Sequence, residues 1–403
     1  MMTIRINRNI LANNAIHIIN LACLVSLVIS PGRLGLPSSL AILLILVFDF
    51  SCFSILRRDF AFLIFLIINL GSIVFFLFNG VPVSLYIQAI SYNLIPTMMY
   101  LIGANQSVSK NEDEIASGIM TPCVFAMGFG LFFYVFFRSF YYSHIGQSLD
   151  SFQCGVADYR FGSYFTSMII GSLCVCSIPM IVCSAKRLKK YLIVLCSLIV
   201  IASIFLCMQR SAWLVAAIEI AMIVLISNMK LSRKVAFISF TLLLVVLIYI
   251  FYDKLFSDIT ISLFTKRFSN TNIIGMVSER TVQWENAIKT WTEYPLGYGM
   301  GSFGHKAAAI GLKAATDGNY FRILAELGIE GLICFLTISI RGLRNAFKTK
   351  RYFVAFAIIG FLLQGIGTNV FDLTFCSAIF WYLLGYSNHS TDKDVKYVVE
   401  ERN

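Results

Sequence analysis

The chain alternates long apolar runs with short polar turns. Runs of about 20 residues, the length that crosses the hydrocarbon of a bilayer as a helix, cover roughly 10–30, 36–56, 60–79, 82–103, 116–137, 162–185, 191–208, 211–229, 235–252, 319–340, 352–370 and 373–387. Backbone in hydrocarbon must satisfy its own hydrogen bonds, so each run is predicted to be helical. The expected fold is all-α and integral to a membrane: one polytopic domain over residues 1–403 with about 12 transmembrane helices. The first run follows Arg5 and Arg8 as a signal peptide would. It lacks a small-x-small cleavage site and a second run follows at once, so it is read as the first membrane helix.

Two polar segments are too long to be simple connections. Residues 138–161 are aromatic and include Tyr141, Tyr142, His144, Asp150, Asp158, Tyr159 and Arg160. Residues 253–318 form the only large segment with mixed charge, glycines and amphipathic periodicity, and function is expected there.

Charge sets the orientation. Basic residues gather at Arg57 and Arg58, at Lys110, at Lys186, Arg187, Lys189 and Lys190, at Lys230, Arg233 and Lys234, and from Arg341 to Arg351. The alternate turns, 31–35 and 79–81, hold almost none. The positive-inside rule then places both termini in the cytoplasm and both long segments on the opposite, periplasmic face.

Composition agrees, with 58% hydrophobic and 13% charged residues. The net charge of +11 would suit nucleic acid, but its confinement to short clusters between apolar runs excludes that reading. Of the 11 cysteines only Cys154 lies outside or away from an apolar run, and no CxxC pair occurs. The four histidines, His17, His144, His305 and His389, are scattered. Neither a metal site, a disulfide framework nor a cofactor is expected.

Candidate chemistry concentrates in and after the second long segment. Ser278 is a plausible N-cap for a helix in which Trp284, Ile288 and Trp291 share one apolar face, with Arg280 a turn below Trp284. Such a helix can lie at the membrane surface or pack on the bundle. Pro295 ends it. Gly297, Gly299 and Gly301 alternate in the following stretch, which suits either an anion-binding nest or a flexible turn. No P-loop lysine follows.

Asp317 stands at the mouth of the next helix, where a carboxylate can accept a proton from a hydroxyl. Arg322, Glu326 and Glu330 recur at i, i+4, i+8 inside that helix, and charges at such depth must face protein, water or one another. Arg210 opens another span, where snorkelling to the interface is the plainer explanation. Glu219 lies roughly 13 Å deeper and out of reach of Arg210.

In this order the pieces resemble the O-antigen ligase and polymerase superfamily of bacterial envelope polysaccharide assembly, from about Arg210 to the C-terminus. Three elements carry the resemblance: Gln209-Arg210-Ser211-Ala212-Trp213; Arg280-xxx-Trp284 with the stretch from Pro295 to Phe303; and the polar mouth before the helix from Tyr320 to Gly331. The N-terminal half matches only in hydropathy.

The resemblance implies a GT-C-like architecture and glycosyl transfer at the periplasmic face of the bacterial inner membrane. The donor it implies is a glycan on undecaprenyl diphosphate, and the acceptor is a second glycan. Arg210 and Arg280 match the family's arginines and would stabilise the leaving diphosphate. Trp284, Gly297, Gly299, Gly301, Asn319, Tyr320 and Arg322 would contact substrate. Where ligases carry a His-Asn pair before the Gly-x-x-Gly helix, this chain has Asp317-Gly318. That departure points to a polymerase joining repeat units, with Asp317 as base in an inverting displacement. Ligation of glycan to lipid A core is the alternative within the family, and a transporter or lipid-linked oligosaccharide flippase the alternative from another class. A chain-length regulator and a separate flippase are the protein partners such a polymerase would have.

Overall fold

In a computed structural model of the 403-residue chain, the residues described are 14–29, 35–107, 109–145, 160–185, 187–226, 270–304, 307–308, 310–312 and 317–389. The expected span at 235–252, the N-terminal arginines, Asp150, Asp158 and Tyr159 of the first long segment, and residues 253–269 of the second lie outside them. Every regular element among the described residues is helical.

In chain order these are α1 (Ala15–Ile29), α2 (Gly35–Phe48), a 3-10 segment (Phe50–Arg57), α3 (Phe60–Phe78), α4 (Val83–Ala89) and α5 (Met99–Gln106). There follow α6 (Glu112–Phe136), α7 (Ser167–Ser184), α8 (Lys190–Leu206), α9 (Arg210–Ile226), α10 (Asn270–Glu293), α11 (Asn319–Lys348), α12 (Tyr352–Gly367) and α13 (Thr374–Asn388). By length and composition α3, α6, α7 and α11 can cross a membrane, and α1, α2, α8 and α12 contain shorter apolar stretches.

Local chemistry sets the boundaries. Asp59 caps α3 by accepting the Phe62 N–H at 3.2 Å. Asn111 and Glu114 form a capping box at α6, whose first turn carries Glu112, Asp113 and Glu114 against the positive end of the helix dipole.

Two expected spans are broken. The run 36–56 stops as an α-helix at Phe48 because Asp49 interrupts it; the buried carboxylate takes a hydrogen bond from Asn105 at 3.1 Å, and the chain continues as a 3-10 segment. The run 82–103 divides at a π-helical turn, Ile90–Leu94, just ahead of Pro96, which has no N–H to give to the helix.

Small residues decide how closely helices meet. A Cβ at Gly103 would run into Tyr382 O, and one at Gly385 into Tyr100 O, so α5 and α13 lie almost backbone to backbone. Around this pair Phe62, Phe65, Phe335, Phe380 and Trp381 fill the centre of the bundle.

Among the described residues, basic turns meet at one end. There Asp59 binds Arg341, Tyr100 and His389. Arg187 pairs with Glu114 at 3.3 Å. Glu112 accepts the N–H groups of Phe353 and Val354 at the start of α12, and Arg351 lies 4.2 Å over the Tyr386 ring. Asp317 stands at the other end of α12, where Gly318 lies against Ile366 O, about 20 Å along that helix from Phe353 and Val354.

The described end of the first long segment is anchored to the bundle. Tyr141 is buried, and its hydroxyl oxygen accepts the N–H groups of Gly162 and Ser163, each at 3.1 Å. Its ring packs against Phe161.

Candidate active site

Helix α10 turns one face to α11. Arg280, Gln283, Trp284, Ala287, Thr290 and Trp291 follow the 3.6-residue period along it, with Ala287 and Thr290 buried. Ala287 meets Phe303 and Ala325. Ile288, expected on the same face as Trp284 and Trp291, is instead 41% exposed. The reason is helical phase: residue 288 stands about 100° round the helix from Ala287, which packs against α11.

This face grips Asp317. Arg280 Nε lies 3.8 Å from Asp317 Oδ2, both side chains being about one-third exposed (32% and 27%). The Trp284 indole N–H donates to the Asp317 carbonyl at 2.6 Å, and the Asp317 N–H donates to Gln283 Oε1 at 2.7 Å. The Trp284 ring stacks on Phe321 at 4.8 Å and 14°. Gly318 follows with φ +109°, where a Cβ would stand 2.6 Å from Ile366 O, so only glycine lets the chain turn into α11 at this point. Gly367 is bare for a related reason: a Cβ there would stand 3.1 Å from Arg280 Nη1. Arg280 Nε makes no hydrogen bond to any described residue.

The glycine-rich stretch enters the bundle beside a broken helix. Gly328 has φ +71° and ψ −176°, which interrupts α11 and frees carbonyls one turn earlier. Tyr298 N–H donates to Ala325 O at 2.8 Å and Gly299 N–H to Glu326 O at 2.9 Å. Gly297, Gly299 and Gly301 all have positive φ and lie against α11, Phe76 of α3 and Ala89 of α4 respectively. Their described contacts are with the protein itself, and Met300 N–H is bound by Ser72 Oγ at 3.2 Å. The break also ends the charged stripe. Glu330, beyond it, is exposed.

Arg322 and Glu326 do pair, at 3.0 Å, and the guanidinium also meets Asp372 at 2.7 Å. With its amide turned to suit both neighbours, Asn93 donates to Asp372 Oδ1 at 2.8 Å and accepts from Arg322 at 3.0 Å. Glu326 Oε1 accepts the Phe303 N–H at 3.0 Å, tying the glycine stretch to the same cluster. Arg322, Glu326, Asn69, Asn93, Thr97 and Ser377 line a small cavity of about 30 Å³, large enough for one or two waters.

Asn319 and Tyr320 have structural partners: Asn319 bridges Thr368 O and Phe371 N–H, and the Tyr320 hydroxyl donates to Leu362 O at 2.7 Å. Arg210, half-buried, opens α9 at the end away from the basic turns. Helix α9 packs on α12 with the Glu219 carboxylate occupying the space over Gly360. Arg210 therefore stands toward Gly367, at the end of the bundle where Arg280 and Asp317 meet. Sequence reasoning passed over Gln283, Asn93 and Asp372. Only Gln283 had a visible signal, its place between Arg280 and Trp284 on one helical face. Among the described residues no group of three metal-ligating side chains occurs.

The family model described as O-Antigen ligase matches residues 194–336. That stretch takes in Arg210, the α10 face, the glycine-rich loop, Asp317 and the broken half of α11. No curated protein matches the chain. The match covers about a third of the chain and supports a resemblance to the O-antigen polymerase and ligase superfamily.

Proposed function

We propose that this protein polymerises oligosaccharide repeat units carried on undecaprenyl diphosphate, at the periplasmic face of the bacterial inner membrane, building O-antigen or a related surface polysaccharide. The observation that carries the reading is the Arg280–Asp317 pair. It sets a carboxylate 3.8 Å from a guanidinium Nε that makes no hydrogen bond to any described residue, at the end of the bundle opposite the basic turns.

The chemistry follows from those two groups. The acceptor hydroxyl oxygen attacks the anomeric carbon of the donor glycan while its proton passes to the Asp317 carboxylate. The bond from that carbon to the diphosphate oxygen breaks, and the bonding pair leaves on undecaprenyl diphosphate with inversion at carbon. Arg280, with Arg210 at the same end, offsets the charge that gathers on the departing oxygens. Asp317 is held by its backbone, with one carboxylate oxygen toward Arg280.

Ligation is the second reading, favoured by the description of the matched family. Deleting and restoring the gene in the source bacterium, and running its lipopolysaccharide on a gel, separates the two. Lipid A core bearing a single repeat unit means polymerisation. A bare core, with long chains accumulating on the lipid carrier, means ligation. An unchanged ladder removes both from O-antigen and turns attention to another polysaccharide or to a transporter.

A further inference from the structure

We propose that Gln283 is a positioning residue for Asp317, an inference that rests on the reading of Asp317 as the base. Three side chains on one face of α10 hold three separate parts of Asp317. Arg280 stands by its carboxylate, Gln283 accepts from its N–H at 2.7 Å, and Trp284 donates to its carbonyl at 2.6 Å.

The clamp answers a local problem. Asp317 precedes Gly318, a residue type whose backbone has the widest range of conformations because it carries no Cβ. A base beside such a joint samples many orientations unless its own peptide groups are fixed. Misplacement of a reacting group by about 1 Å costs roughly 10²-fold in rate. Trp284 is braced by Phe321 and fixes the carbonyl side. Gln283 fixes the amide side, and the two bonds together define the plane from which the Asp317 side chain projects.

The residue type matters. A backbone N–H needs an acceptor, which Lys, Arg or an aliphatic side chain cannot supply. Glutamate would accept the bond but would add a second negative charge beside the base, favouring its protonated form. Glutamine supplies the acceptor without the charge.

The test compares the purified wild-type protein with Gln283→Leu and Gln283→Glu, following chain elongation from a lipid-diphosphate-linked repeat unit across pH. Gln283→Leu is expected to lower kcat about 10²-fold with KM for the lipid-linked unit within about twofold. Gln283→Glu, which keeps the acceptor, should hold kcat within about tenfold of wild type, with the acid limb of its kcat profile moved to higher pH. A Gln283→Leu protein with wild-type kcat overturns the proposal. So do equal losses in both variants with an unmoved pH profile, the signature of a purely structural residue. Absence of elongation by the wild-type protein refutes the polymerase reading itself and takes this inference with it.

Discussion

Arg322 of α11 and Asp372, in the short 3-10 turn (Val370–Asp372) that precedes α13, meet at 2.7 Å. The guanidinium is 5% exposed and also carries Glu326, so one buried cation serves two acids, with Asn93 bridging it to Asp372. Removing the cation strands both carboxylates. Arg322→Met is expected to cost about 3–5 kcal/mol, the range for breaking a buried pair. Asp372→Asn should cost less, because Asp372 is one-fifth exposed and its amide still accepts. Denaturation in detergent measures both, and near-equal midpoints for wild type and Arg322→Met would contradict the arrangement.

The glycine-rich loop gives a second comparison. Gly297 has φ +90° and its missing side chain makes room for Glu326 O, whereas Gly311 has φ +74° with nothing within 4 Å. Alanine at Gly311 meets backbone strain alone, about 1–3 kcal/mol. Gly297→Ala meets the same strain and a collision with α11, so it should lower the unfolding midpoint clearly further. Equal effects would mean the loop does not press on the broken helix.

Acid should loosen the opposite end of the bundle. Burial of Asp59 alone would push its carboxyl up, but hydrogen bonds from His389, Arg341 and Tyr100 outweigh that and hold it well below the usual carboxylate range. A depressed folded value stabilises the native state above the ordinary carboxylate pKa of about 4. That stabilisation is lost as pH falls toward the folded value. Thermal unfolding in detergent between about pH 3 and 7 should show this decline in the wild type. Asp59→Asn should be less stable at neutral pH and nearly flat across the range. A wild type as flat as the variant would show that Asp59 gains nothing from its three donors.

Tyr141→Phe deletes the acceptor for two buried N–H groups, those of Gly162 and Ser163. The expected cost is about 1–3 kcal/mol, read from the unfolding midpoint in detergent. A neutral substitution would show that the segment finds other acceptors.

The all-helical character and several helix positions are legible because hydropathy is a property of runs, and runs survive folding. The boundaries of α3, α7 and α12 fall within a few residues of their expected spans. What hydropathy misses is interruption by single residues. Asp49 and the turn before Pro96 divide two runs, and Gly328 breaks a helix that reads as continuous.

At the candidate site the sequence links Arg280 and Trp284 on one helix and leaves Asp317 apart, and the structure brings the three together through one face of α10. The alternating glycines announced a close backbone approach but not its partner, because a nest for an anion and a seat against a broken helix demand the same positive φ. Asp372 gave no sign at all. Its partner Arg322 lies on another helix, and only tertiary packing makes that pair.

The most direct measurement is chain elongation by the purified protein, supplied only with repeat units linked to undecaprenyl diphosphate. The wild type is predicted to yield a ladder of longer glycans and to release the diphosphate lipid without nucleotide sugar. Asp317→Asn, folded and inserted equally well, is predicted to yield none. Normal ladders from Asp317→Asn would contradict the role given to that carboxylate. In a parallel reaction with lipid A core added, transfer of glycan solely to that core, with no lengthening in either reaction, would contradict the polymerase itself.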